Sequence, residues 1–233
     1  MERQANTEKK IQQHIDELCQ NMPLYLDVYR KFPFSKPGQL ELHRQTILMR
    51  QRHGSVQAAL KDNSFINSIR DTLVKWGMDS RGATGLLLPM PEFSSSLRKH
   101  EQKIMELEKL DIEDTNLPLQ QTAQEIWSLI EGLRLSQGGN QIVTGSKALH
   151  HILPDLVPPI DRAYTRRFFG FWMQQFQYNP EVFSYIWIRF ALIARKTNPQ
   201  QYVTNTDWFT SKTKILDNAV IGYCKYHNLP KLS

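Results

Sequence analysis

Apolar residues recur along most of the chain with the spacing that places them on one face of an α-helix. Ile11, Ile15 and Leu18 follow one another at intervals of four and three residues, and segment 64–78 has similar spacing. Such a face can be buried against other helices of a globular fold. Because no alternating apolar run is bounded by a hairpin turn, strands are not expected. The pattern predicts an all-α chain of about eight to ten helices.

Glycine, proline and capping residues predict where these helices begin and end. Gly54 is expected to close one helix, and the Gly- and Pro-rich segment 79–93 is expected to form a loop. Segment 137–145, QGGNQIVTG, is also interpreted as a loop, with a short helix over 146–153 after it. A further helix is predicted to begin at Asp161, because aspartate is a favoured N-cap residue.

Composition narrows the class of protein and of partner. The chain has 233 residues, 40% hydrophobic and 22% charged, which is typical of a globular protein. Its formal net charge is +6. A basic balance of this size suits an anionic partner, and nucleic acid is the commonest one.

Nothing in the sequence predicts export or membrane insertion. The first ten residues, MERQANTEKK, are polar, and the most apolar segment, 185–194, is far shorter than the roughly 20 residues of a membrane span. The two cysteines, Cys19 and Cys224, form no metal-ligand pattern or disulfide framework, which suits a reducing compartment. We therefore expect a cytoplasmic monomer with no membrane partner.

Residues 145–172, GSKALHHILPDLVPPIDRAYTRRFFGFW, contain the strongest candidates for chemistry. Asp161 follows a double proline and precedes a helix, so it can be a simple N-cap. The helix dipole also stabilises an ionised carboxylate there, and the stiff prolyl backbone would hold it in place. Asp161 is therefore expected to be a structural cap, and the same position suits a carboxylate that stabilises positive charge and orients a nucleophile, since the two roles do not exclude each other.

Cationic side chains flank this aspartate. Lys147 is either an ordinary surface lysine or an amine nucleophile, which would need desolvation or nearby cations to lower its pKa. Arg162, Arg166 and Arg167 form either a solvated cationic face or a set of phosphate contacts, since guanidinium groups match phosphate oxygens. Both alternatives stay open at the level of sequence.

No motif for a metal or a cofactor accompanies these residues. His150 and His151 have no further ligands at zinc spacing. The glycines of segment 137–145 follow no strand, as a dinucleotide or phosphate loop would. No serine lies in a nucleophile-elbow motif. We expect neither a metal nor a cofactor.

Residues 141–168, QIVTGSKALHHILPDLVPPIDRAYTRRF, resemble the helix-hairpin-helix segment of the DNA glycosylase superfamily named for its Gly/Pro-rich loop and following aspartate. In that family a hairpin turn opens a helix, an extended segment ends in proline, a hydrophobic residue and aspartate, and a new helix begins. Here VTGSKAL resembles the turn, and LVPPIDRAYTRR resembles the segment and its aspartate. The resemblance covers 28 of the 233 residues.

The resemblance implies a single all-α domain over residues 1–233. It would have two helical lobes, roughly 1–115 and 116–233, around a cleft beside the helix-hairpin-helix motif. Asp161 matches the catalytic aspartate, and Lys147 matches the lysine nucleophile of members that also have lyase activity. The activity implied is excision of a damaged or modified base from double-stranded DNA, in repair or in defence against phage.

Further residues receive roles from the same comparison. Gly145 matches the second hairpin glycine, whose amide approaches a DNA phosphate, and Ser146 lies beside it. Together with the three arginines, Arg162, Arg166 and Arg167, they are the expected DNA contacts. The base pocket is assigned to Trp76, Arg81 and His151, although Trp76 can equally be a core residue.

The chain departs from the family pattern at two points. Val143 stands where the first hairpin glycine is expected, and 14 residues separate Lys147 from Asp161, about one helical turn fewer than in well-known members. Two other functions compete with the glycosylase. One is a non-catalytic helical module that binds DNA or another partner, and the other is a helical protein without a nucleic-acid role.

Overall fold

The computed structural model describes residues 2–33, 36–79, 86–139, 141–171 and 179–230. Twelve α-helices lie in these ranges: α1 (Glu2–Gln20), α2 (Met22–Lys31), α3 (Gln39–His53), α4 (Val56–Lys61), α5 (Asn63–Lys75), α6 (Met90–Lys99), α7 (Glu101–Glu108), α8 (Leu119–Leu133), α9 (Gln141–Ile152), α10 (Thr165–Phe168), α11 (Pro180–Thr197) and α12 (Lys212–Tyr226). Within the same ranges the only extended pairing is one isolated bridge, between Leu87 and Ser136. The all-α prediction is confirmed.

Helix ends are set largely by glycine and by capping side chains. Gly54 closes α3 in the left-handed region, with φ of 68°, as predicted. Asp62 and Ser211 cap α5 and α12, because each side chain accepts a hydrogen bond from an amide of the first turn. None of the helices in the described ranges is both long and apolar enough to cross a lipid bilayer.

Two predicted boundaries in the segment that resembles the glycosylases are wrong. Residues 141–145 are not a loop, since α9 already begins at Gln141 and the turn lies before it. The helix after Asp161 begins only at Thr165, and three turn residues lie between them. The helix predicted over 161–176 also runs into residues 172–178, which lie outside the described ranges.

Helices from the two ends of the chain pack together. The most extensive helix pair joins α2 to α12, and α1 contacts α2, α11 and α12. A second group joins α3, α4 and α5, while α9 contacts α3, α5 and α8. A division of the packing near residue 115 does not fit this arrangement, because α1 and α2 belong with the C-terminal helices. The position of α9 and α12 at the centre is what matters for the site.

Two glycines allow the central helices to approach closely. A Cβ atom at Gly222 of α12 would lie 1.9 Å from the carbonyl oxygen of Tyr25 in α2. A Cβ atom at Gly145 of α9 would lie 2.6 Å from a methyl carbon of Ile130 in α8. Backbone cannot move aside as a side chain can, so the contact at Gly222 fixes the distance between α2 and α12.

We expect Gly222→Ala to destabilise the protein by about 3 kcal/mol, because a methyl group would overlap a backbone carbonyl in the core. Urea unfolding monitored by circular dichroism measures this. The matched control is Gly54→Ala, where the added methyl meets no atom within 4 Å and only the positive φ costs energy, about 1 kcal/mol. Equal effects of the two substitutions would contradict the close approach.

Candidate active site

One pocket gathers side chains from distant parts of the chain. It has a volume of about 220 Å³, which is below the roughly 300–1,000 Å³ of sites for drug-sized ligands and therefore suits a single small ring system. Its lining comes from the start of α3, the end of α5, α9, the extended segment after α9, and α12. The residues with chemistry are Trp76, Lys147, Asp161, Trp208, Lys214 and Asp217.

Lys147 projects from α9 into this pocket with 8% of its surface exposed. Burial lowers the pKa of its amine, while the charges of Asp161 and Asp217 oppose that shift. Its Nζ lies 5.2 Å from the centre of the Trp76 ring, and no carboxylate of the described residues lies within 4.0 Å of it. The interpretation of Lys147 as an ordinary surface lysine is wrong.

Asp161 is also buried and is held by a reciprocal cap. Its Oδ1 accepts a hydrogen bond of 2.6 Å from the amide of Tyr164, and its own amide donates to Oγ1 of Thr165 at 3.2 Å. Among the hydrogen bonds of the described residues, Asp161 uses only Oδ1, and its side chain lines the pocket. Asp161 is therefore not the N-cap of α10, which is Tyr164, but it caps the turn before that helix. The same geometry leaves Oδ2 available to the pocket.

The segment between these two residues is pinned by side chains. Oγ of Ser146 accepts from the amide of Ile160 at 3.1 Å, which ties α9 to the residue before Asp161. Nε of Arg50 donates to the carbonyl of Ile152 at 2.8 Å, where α9 ends. Nε1 of Trp187 donates to the carbonyl of Leu156 at 3.0 Å. The short interval between Lys147 and Asp161 thus brings both side chains to one pocket.

Gly145 and Ser146 do not lie where a DNA phosphate could reach them. Gly145 is buried inside α9, so its amide belongs to the helix, and it packs against Ile130 of α8. Ser146 has no exposed surface, and its hydroxyl donates to the carbonyl of Val143. The prediction that these two residues contact DNA is corrected, because close helix packing and a tie to Ile160 account for them.

The three arginines after Asp161 do not share one environment. Arg166 is 5% exposed, and its Nε donates to the carbonyl of Arg162 at 3.1 Å, so it supports the turn from within. Arg162 and Arg167 are partly exposed. The guanidinium of Arg167 lies 5.2 Å from the centre of the Tyr164 ring, and the charge of Arg162 acts on Lys147. Only Arg162 and Arg167 offer surface for a phosphate.

An ion pair on α12 forms another wall of the pocket, and the sequence reasoning missed it. Nζ of Lys214 contacts Oδ2 of Asp217, and both side chains are almost fully buried, with 4% and 3% of each residue exposed. Nζ of Lys214 also lies 5.0 Å from the centre of the Trp208 ring. The sequence does carry a signal for this ion pair. Lys214 and Asp217 are opposite charges three positions apart on an apolar helix face, and such charges must pair when they are buried.

Three histidines, His43, His150 and His151, form a buried cluster behind Trp76 and Trp208, the two indoles that line the pocket. Nδ1 of His151 donates to the carbonyl of Lys147 at 2.8 Å, because a carbonyl can only accept. The Nε2 of His151 therefore accepts from Nδ1 of His43 at 3.1 Å, and Nε2 of His43 accepts from the hydroxyl of Thr210 at 2.8 Å. Nδ1 of His150 donates to the carbonyl of Val157 at 3.2 Å. Each ring is thus assigned one neutral tautomer.

This cluster supports the aromatic side chains of the pocket. The His43 ring stacks on Trp208, with centroids 5.2 Å apart and planes 21° apart. The centroids of His43 and His151 lie 5.5 Å and 5.1 Å from that of Trp76. His151 has no exposed surface and lies behind Trp76, so its assignment to the pocket lining is corrected. Arg81, the third residue of that assignment, lies outside the described residues.

Trp76 combines the two roles that the sequence left open, a core residue and a residue of the pocket wall. It is half-buried against the core, and one side of it lines the pocket. Trp208 stands next to it, with ring centroids 6.2 Å apart and planes 42° apart. The two indoles form an angled apolar wall, which suits contact with a flat ligand.

No family model, curated protein or solved structure matches the chain. These comparisons therefore assign the chain to no family. No group of three or more histidine, cysteine, aspartate or glutamate side chains in the described ranges is arranged to hold a metal ion. The chemistry that the pocket offers is that of two buried amines, two carboxylates and an aromatic wall.

Acid should destabilise the protein through the histidine cluster. Burial holds the pKa of His43 and His150 well below the usual 6.5 and lowers that of His151 to about 4. The unfolded chain therefore binds protons below about pH 6.5 that the folded chain does not. Stability is full above that pH and is lost as the pH falls, by about 2 kcal/mol per histidine at pH 5.

Urea unfolding at intervals from pH 7.5 to pH 5.0 measures this loss. His150→Gln removes one of the three groups and should make stability fall less steeply with decreasing pH. His100→Gln, outside the cluster, reports the effect of losing an unrelated histidine. If the free energy of unfolding depended on pH in the same way in the wild type and in His150→Gln, the prediction would be wrong.

Proposed function

We propose that this protein is a DNA glycosylase that extrudes a damaged or modified base from double-stranded DNA and cleaves its N-glycosidic bond, with lyase activity through Lys147. The observation that carries the proposal is that Lys147 and Asp161 line one small pocket beside Trp76. These are the two residues that the resemblance assigns to catalysis. A structural cap alone would not require a buried amine next to it.

The pocket supports the chemistry in the following way. A stacked base is out of reach, so the nucleotide must be extruded, and the aromatic wall of Trp76 can receive its flat ring. The bond from C1′ to the base nitrogen breaks with its electron pair on the base, which is later protonated. Asp161 stabilises the positive charge that develops on the sugar, and its fixed position avoids reorganisation.

Two nucleophiles can complete the reaction. If water attacks C1′, it supplies the electron pair of the new bond and gives its proton to Asp161. If the neutral amine of Lys147 attacks, it loses a proton, and opening of the sugar ring leaves a Schiff base that permits strand cleavage. Burial lowers the pKa of Lys147 and so favours the neutral amine.

Cationic side chains near the pocket suit contact with the DNA backbone. Lys36 is exposed and lines the pocket, and Lys75 is exposed next to Trp76. Arg162 and Arg167 are partly exposed on the turn after Asp161. Such contacts release counterions, so binding should weaken steeply with salt.

We expect Asp161→Asn to release base at least about 100-fold more slowly than the wild type, because its neutral amide cannot stabilise the sugar cation. The side-chain oxygen of asparagine can accept the same hydrogen bond from the amide of Tyr164, so the turn and DNA binding should persist. The assay measures base release from a panel of duplexes, each with one damaged or modified base. Asp71→Asn, an exposed aspartate on α5, is the control. Full activity of Asp161→Asn would refute the mechanism, and salt-dependent binding without release by the wild type would favour a non-catalytic module.

Reduction with borohydride should trap the wild type covalently on DNA that contains an abasic site, and Lys147→Gln should lose this product. Because only the neutral amine attacks, trapping should increase with pH, with a midpoint below the usual lysine value of about 10.4. Lys61→Gln, an exposed lysine on α4, is the matched control. Trapping that persists in Lys147→Gln would remove Lys147 as the nucleophile.

A further inference from the structure

We propose that Asp217 and Lys214 read the edge of the base, and that the pocket selects flat heterocycles that present an N–H donor beside a hydrogen-bond acceptor. The proposal rests on the proposed function, since it takes the pocket as the place of the extruded base. It adds residues that neither the resemblance nor the catalytic chemistry requires. Both lie on α12, more than 50 residues after Asp161 in the sequence.

The placement of Lys214 and Asp217 supports this role. Lys214 and Asp217 line the same pocket as Lys147 and Asp161, yet their contact with each other does not involve the catalytic pair. A buried ion pair is often no more stabilising than apolar side chains of similar size. Stability alone therefore does not explain two buried charges at the wall of a cavity.

One carboxylate oxygen of Asp217 is an acceptor without a donor. Oδ2 of Asp217 contacts Lys214, whereas Oδ1 is buried and has no hydrogen-bond partner among the described residues. A carboxylate oxygen left in this state costs free energy unless a donor reaches it. A ligand N–H group in the pocket is such a donor once the Asp217 carboxylate turns this oxygen toward it, because the oxygen itself is buried. Lys214 keeps the carboxylate paired, and its remaining ammonium protons can be donated to an adjacent ligand acceptor.

The shape of the pocket suits a flat heterocycle. Trp208 lies beside Lys214, and its ring is backed by the stacked His43. Together with Trp76 it provides a flat apolar surface next to the polar pair, in a pocket of about 220 Å³. This combination of an aromatic wall and one donor–acceptor pair matches a nucleobase edge. Both the amidine edge of adenine or cytosine and the lactam edge of uracil or guanine carry the required groups.

Binding of free bases tests the proposal without catalysis. Titration calorimetry compares 9-methyladenine with N6,N6,9-trimethyladenine, and 1-methyluracil with 1,3-dimethyluracil. The methyl group at N9 or N1 stands in place of the sugar, and the second compound of each pair also lacks the N–H group of the edge. We expect the wild type to bind the first compound of at least one pair about tenfold or more tightly than the second, as one hydrogen bond to a carboxylate contributes. The two pairs distinguish the amidine edge from the lactam edge.

Asp217→Leu alone would leave a buried lysine unpaired, so it is combined with Lys214→Met, because replacing both partners with apolar groups is usually tolerated. We expect this double variant to lose the discrimination within each pair of bases. Tyr29→Phe is the matched control, because the Tyr29 ring is close to Lys214, at 5.8 Å, but does not line the pocket. The control should discriminate as the wild type does. Circular dichroism checks that both variants are folded.

Discrimination that survives in the folded double variant overturns the proposal. So does a wild type that binds none of the four compounds, or that binds the two compounds of each pair equally. Failure of the proposed function has a different result, which is base binding that depends on Asp217 and Lys214 without release of any base from DNA. Base release that the double variant performs with unchanged preference would instead leave the glycosylase intact and remove the reading role.

Discussion

The site depends on charges held out of water at one pocket. Lys147, Asp161, Lys214 and Asp217 all lie in it with less than a tenth of their surface exposed. Removing a charged group from water costs several kcal/mol, so each cation needs a carboxylate nearby. Only Lys214 and Asp217 contact each other directly. The amine of Lys147 is stabilised over a longer distance, and its proton is therefore held less firmly.

The surrounding packing makes this arrangement rigid. Asp161 cannot move away from Lys147, because Ser146 ties the preceding residue to α9 and the amide of Tyr164 holds its carboxylate. The neutral histidine cluster fills the space behind Trp76 and Trp208, and it adds no charge to the pocket. The pKa of Lys147 is therefore lowered by burial and by the charges of Lys214 and Arg162, without a histidine charge.

Sequence patterns were informative where the determinants are local. Helical spacing predicted the fold class, and the local resemblance nominated Lys147 and Asp161. The hairpin at Gly145 was predicted wrongly, because a glycine needed for packing against Ile130 looks the same in sequence as one needed for a turn. Lys214, Asp217 and Trp208 were missed. The charge spacing on α12 indicates a buried ion pair, but only the packing of α12 against α2 and the central helices brings these residues to α9.

The same packing explains why a cap and a catalytic carboxylate need not be alternatives for Asp161. A cap requires one carboxylate oxygen and a fixed turn, and both are present at Oδ1. Catalysis requires the other oxygen in a confined space beside a nucleophile. A rigid cap provides this at little entropic cost, because the carboxylate is already immobilised by folding. The local stability of the turn is thus the physical basis for any preorganisation of the pocket.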